Sequence, residues 1–139
     1  MKVLMMSWEY PPNQVGGLGR HVCHISQALA AAGTEVHVVT PGNTDETTDE
    51  SGEPVVHRVV PYNVSAPDFA SWVLQLNTAM LQRAITATED YGPFDLVHAH
   101  DWLSAFASRA YKHAFRLPLV ATIHATEAGR NAGIHNRQQ

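Results

Sequence analysis

Three short stretches of this chain carry residues able to do chemistry. Gly16-Gly17-Leu18-Gly19 stands where a helical pattern begins. The free N–H groups and positive dipole end of such a helix start hold anions, typically phosphate, and a glycine there keeps no Cβ between ligand and backbone. The plainer alternative is that these glycines only shape a strand-to-helix turn. His98-Ala99-His100-Asp101 sets two imidazoles beside a carboxylate, which are donor types of a zinc site. In a strand those histidines share a face while the acid points away. No metal is therefore expected; His98 reads as a buried, hydrogen-bonded core residue and Asp101 as the N-cap of the next helix. His124 follows the run 119–123, read as a buried strand, at whose carboxyl end a polar side chain has no packing reason to be, and reads as a hydrogen-bond donor to a bound ligand. His21 and His24 lie one turn apart around Cys23 as ordinary helix residues, with His21 set apart by its place beside the glycine turn.

These residues need elements to position them. Val3 to Met6 is a short apolar run suited to a strand buried on both faces. Apolar residues at 18, 22, 25, 29 and 32 make a helical stripe, closed by Gly33. Residues 35–40 read as a second strand, and the acidic stretch 41–54 as a solvated loop. Strands follow at 55–60, 95–100 and 119–123, with helices at about 68–89 and 103–115. Strands alternating with helices predict βαβ units: a Rossmann-like open parallel sheet with helices on both faces. In such sheets ligands sit at the carboxyl ends of the strands. The glycine turn, His100-Asp101 and the stretch from His124 to Arg130 all fall at such ends. Residues 125–139 are polar and resolve into no closing element, so the tail looks cut rather than finished.

At 139 residues the chain is expected to form one domain. Nine Lys and Arg against thirteen Asp and Glu give a net charge of -4, which argues against a nucleic-acid binder. The single cysteine, Cys23, fits a reducing compartment. The apolar start is too short for a signal peptide or a membrane span, so a soluble cytoplasmic protein without membrane insertion is expected. A dinucleotide-binding turn is excluded in detail: Val22 stands where a third glycine is needed, and Thr40-Pro41, not an acid, ends the second strand. No Gly-Lys-Ser/Thr follows the glycines, so the turn is no P-loop.

Glu9-Tyr10-Pro11-Pro12, the stretch Val15 to His21, the stretch Asp95 to Trp102 and the stretch Thr122 to Glu127 occur in an order that resembles retaining GT-B glycosyltransferases of the group 1 (GT4) and glycogen/starch synthase class. The resemblance covers nearly the whole chain and implies the N-terminal, acceptor-side half of a two-domain enzyme. It implies a hexose moved from a nucleotide-diphosphate sugar to a sugar or glucan acceptor with retention. In that picture Gly16, Gly17 and Leu18 reach the donor diphosphate, and His124 with Asp101 serves the donor sugar. Glu9, Arg20, His21, His100, Glu127 and Arg130 line the cleft or the acceptor site. The partners implied are the nucleotide sugar, a carbohydrate acceptor and a C-terminal domain of the same chain, with no metal or other cofactor. The paired glutamates spaced eight apart would belong to that second domain; Glu46 and Glu53 are seven apart and are not that pair. Glycogen synthases place a lysine where this chain has Gln14, which favours the broader group 1 class. The competing readings are a His/Asp metallohydrolase and a free-standing nucleotide-binding module.

Overall fold

The computed structural model describes residues 1–13, 16–61 and 65–126. β1 (Lys2–Met6) is buried from Val3 onward, as its unbroken apolar run requires. It is followed by α1 (Gly17–Ala31), β2 (Glu35–Pro41), β3 (Glu46–Thr48), β4 (Val55–Val59) and α2 (Phe69–Tyr91). Then come β5 (Leu96–His100), a 3-10 turn (Trp102–Ser104), α3 (Ala105–Phe115) and β6 (Leu119–Thr122). All six strands form one sheet in the order β3-β4-β2-β1-β5-β6. Every neighbouring pair is parallel except β3 with β4.

The predicted Rossmann-like α/β architecture is therefore present, with two corrections. The acidic stretch 41–54 is not all loop, because Glu46–Thr48 pairs antiparallel with β4 at the sheet edge. This strand is exposed at every residue, so it carries no apolar alternation by which to read it. Thr47 Oγ1 meets His57 Nδ1 at 3.2 Å, and the Val60 amide donates to the Asp45 carboxylate at 2.8 Å. The second correction concerns the helix expected over 103–115: it opens as a 3-10 turn, and the α-helix proper starts at Ala105. Asp101 accordingly caps that turn, its carboxylate accepting from the Trp102 amide at 3.0 Å.

Alternation along each strand divides the core between two faces. Val3, Met5, Val36 and Val38 pack with Val22, Ile25 and Leu29 of α1 on one face. Leu4, Met6, Val39 and Val97 pack with Leu76, Met80 and Ala84 of α2 and Tyr111 of α3 on the other. From β1 the chain steps outward through β2 to β4, then crosses back to place β5 on the opposite side of β1. The β1–β5 junction is thus the switch point, and the crevice beyond its carboxyl ends is where such sheets bind ligands. No described helix is long and apolar enough to cross a membrane.

The α2-side core also holds a pair of histidines. His37 Nδ1 and His57 Nε2 share a hydrogen bond of 2.8 Å, and His37 Nε2 lies 3.0 Å from Glu35 Oε1. Burial, aided by the neighbouring His37 and Arg83, pushes the His57 pKa down to about 3. The native state therefore holds His57 neutral, whereas the unfolded chain takes up a proton below about pH 6.5. The stability this supplies is complete above pH 6.5 and is lost as pH falls toward 3. Each pH unit in that window costs about 1.4 kcal/mol from this residue. Thermal melting from pH 7.5 to 4.5 should show a steep loss of stability, and His57→Gln, which keeps hydrogen-bonding capacity without titrating there, should make it shallower. An identical slope in the variant would remove His57 from this role.

Candidate functional site

The site is assembled from the ends of β1, β5 and β6 and the start of α1. Ser7, fully buried just past β1, donates its hydroxyl to the Glu9 carbonyl at 2.8 Å and bonds the Val39 carbonyl through its amide at 3.1 Å. This turns Glu9 inward. The Glu9 carboxylate accepts from the amides of Gly16 at 3.2 Å and Gly19 at 3.3 Å, so an internal anion caps α1. The Gly17 and Leu18 amides remain as donors that a helix's first turn cannot satisfy internally.

The two glycines of the turn differ in what they meet. A Cβ at Gly16 would stand 3.2 Å from the Glu9 carboxylate. A Cβ at Gly17 would meet nothing within 4 Å, and no positive φ demands glycine there. Neither packing nor backbone therefore requires Gly17.

Across the switch point, β5 delivers His98 and His100 to the α1 face of the sheet. His98 is buried and shares a hydrogen bond of 2.7 Å with Thr122 Oγ1, the core role its sequence position predicts. His100 is fully buried; its Nδ1 lies 3.4 Å from His124 Nε2, and its Nε2 has no partner among the described residues. His21 comes in from α1, its ring centroid 4.9 Å from that of His124 and 5.8 Å from that of His100. Burial first, then the charges of His98, His124 and His21, push the His100 pKa down to about 3. His124 is lowered by burial and by His21, with Asp101 pulling the other way. His100 is thus a neutral imidazole at neutral pH, offering a lone pair or one N–H.

Asp101 holds φ 62 and ψ 180, a region nearly reserved for glycine. Its amide donates to the Thr122 carbonyl at 2.8 Å, tying the end of β5 to the end of β6. Arg20 is exposed, and Glu127 and Arg130 lie outside the described residues, as does Gln14. Two tryptophans complete the edge, Trp72 from the helical stripe of α2 and Trp8 from the turn after β1. Trp8, Asn13, Pro41, Gly42, Asn43 and Trp72 line an open groove of about 230 Å3 beside the turn that follows β1. The larger cleft, about 340 Å3, lies at the opposite, amino end of the sheet between Gly33, Glu35, the acidic stretch and Tyr91.

Residues 15–139 match the model of Glycosyltransferase Family 4. The chain belongs to glycosyltransferase family 4. A glycogen synthase of Mycobacterium tuberculosis is 43% identical over 96% of this family 4 chain and 36% of its own length. An uncharacterised glycosyltransferase of Methanocaldococcus jannaschii is 36% identical over 98% and 34%. A D-inositol 3-phosphate glycosyltransferase of Arthrobacter is 30% identical over 84% and 28%. The family 4 chain thus spans about a third of the length of these curated relatives. In fold it is similar to sucrose-phosphate synthase of Thermosynechococcus elongatus, with TM-score 0.72 at 20% identity over 89% of this chain and 33% of that one. The catalytic domain of starch synthase IV of Arabidopsis thaliana gives TM-score 0.63 at 18% identity over 88% and 34%. Nothing in these likenesses favours a metallohydrolase or a free-standing nucleotide-binding module.

The strain at Asp101 costs about 1–3 kcal/mol, and its cap returns about 1 kcal/mol. Asp101→Gly should therefore melt no lower than the wild type while losing the carboxylate beside His124. A drop in Tm beyond about 5 °C would make Asp101 a structural residue only.

Proposed function

We propose that this family 4 domain is the acceptor-side half of a glycosyltransferase moving a hexose from a nucleotide-diphosphate sugar to a sugar or glucan acceptor with retention. It would act with a second domain of the same chain, in the cytoplasm, and without a cofactor. The observation that carries the reading is the convergence, at the sheet's switch point, of a glycine turn, His100, Asp101 and His124 beside a helix start. The names of the relatives, glycogen synthase and D-inositol 3-phosphate glycosyltransferase, supply the reaction class.

Each residue has a physical task in this reading. The Gly17 and Leu18 amides, backed by the α1 dipole, receive the donor diphosphate as it gathers charge on leaving. His124 hydrogen-bonds a hydroxyl of the donor sugar and holds the anomeric carbon in line. Asp101 keeps a negative charge near His124. The groove between Trp8 and Trp72 suits the acceptor: indole faces meet the C–H surface of a sugar ring, while Asn13 and Asn43 offer amide donors and acceptors to its hydroxyls. No protein nucleophile is assigned.

In the whole protein, Gly17→Val should fold normally, since space surrounds that position, yet lose donor affinity and transfer. His124→Ala should lower kcat by roughly 10²-fold with little change in Tm, because His124 is only half-buried. Thermal melting and steady-state kinetics on the same preparations check both. Normal turnover by a folded Gly17→Val variant would reduce the loop to a turn, and normal turnover by His124→Ala would displace the site.

A further inference from the structure

We infer that His21, His100 and His124 form a binding site for a borderline transition-metal dication, Zn2+ above all, and that the bound ion excludes the donor sugar. One nitrogen from each imidazole lies within 4.8 Å of the other two. His100 Nδ1 and His124 Nε2 are already 3.4 Å apart. Two nitrogens on a tetrahedral zinc, at Zn–N of about 2.0–2.1 Å, stand roughly 3.4 Å from each other. That pair is therefore at chelating separation with no ion needed to draw it in. His21 closes the triangle from the exposed side of α1, where its side chain is free to turn toward an ion.

The separation that suits an ion suits a hydrogen bond poorly. A contact of 3.4 Å is at the weak end of the range. His100 is fully buried, and this contact is its ring's only hydrogen bond among the described residues. A metal bond at Nδ1 would replace this weak contact with a strong one, while the Nε2 side of the ring stays as it is. Burial, which disfavours the imidazolium, keeps His100 in the neutral form that ligates.

The donor set also selects the ion. His98 is committed to Thr122 and the Asp101 carboxylate to the Trp102 amide, so imidazole nitrogen dominates. Such a set favours Zn2+, Cu2+ or Ni2+ over Mg2+, Ca2+ or Mn2+. Three protein nitrogens leave a fourth position open toward solvent.

The consequence for activity rests on the glycosyltransferase reading. A His124 nitrogen that holds an ion no longer hydrogen-bonds a sugar hydroxyl. The ion is then a competitor of the donor, and its availability sets the enzyme's activity.

Co2+ alone, added to the whole protein, is the probe, since tetrahedral nitrogen ligation gives it intense visible bands. One Co2+ per chain should bind and be displaced by Zn2+. His21→Ala and His124→Ala should each weaken binding at least about tenfold, while His24→Ala, exposed one turn along α1, should leave it unchanged. Absence of the bands, or bands unaffected by both His21→Ala and His124→Ala, overturns the site. In a transfer assay Zn2+ should raise the donor KM without lowering kcat, and a chelator should reverse the effect. Stoichiometric binding with an unchanged donor KM overturns the exclusion of donor. A protein that gives the Co2+ bands but transfers no sugar in metal-free buffer instead contradicts the glycosyltransferase reading and supports the metal site alone.

Discussion

The parallel pairing of β1 with β5 is the constraint from which the site follows. Met5 is set against His98 and Met6 against Ala99, which brings the end of β5 level with the end of β1. Whatever leaves β1 must then pass the end of β5. The chain leaving β1 becomes α1, so the helix start and His21 are delivered to His100. The β5–β6 register, with His100 against Thr122, brings His124 to the same place. Residues a hundred positions apart thus meet because three strands share a direction and a level.

Burial is the second determinant. His100 and His57 occupy opposite faces of one sheet, and burial holds both near a pKa of about 3. Their surroundings separate their roles. His57 is satisfied on both nitrogens, by His37 and Thr47, and belongs to the core. Among the described residues the His100 ring has one long contact and one unpartnered nitrogen, and it stands at the carboxyl edge. A buried polar group left short of partners is costly to keep. Together with the backbone of Asp101, it marks this edge as the place where the fold gives up stability.

The sequence makes the alternation of strands and helices legible because each apolar run has the period of its element. The stripe of Leu18, Val22, Ile25 and Leu29 lies on the sheet as its spacing predicts. β3 is not legible, since a strand exposed on both sides has no hydrophobic pattern. In the site, His124 stands out because a polar residue ends an apolar run, though β6 is an edge strand with no buried residue rather than the buried strand expected, and Gly17 because glycine opens a helix. The sequence sets His21, His100 and His124 at one edge of the sheet, but their ring contacts depend on register between strands distant in sequence. Glu9 is read from the sequence as a cleft residue, yet its carboxylate faces the Gly16 and Gly19 amides. Only the Ser7 contacts that turn the chain after β1 reveal that orientation. Trp72 reads from the sequence only as part of a helical stripe, and its nearness to Trp8 shows only in the groove they line.

The central claim is that the carboxyl edge at the β1–β5 junction receives the donor. The most direct measurement is a crystal structure of the whole protein with a non-transferable nucleotide-diphosphate sugar. Diphosphate oxygens about 2.7–3.2 Å from the Gly17 and Leu18 amides, with a sugar hydroxyl on His124, are the predicted result. A donor bound at the amino-end cleft near Glu35, or one whose sugar lies away from His124, would contradict the account.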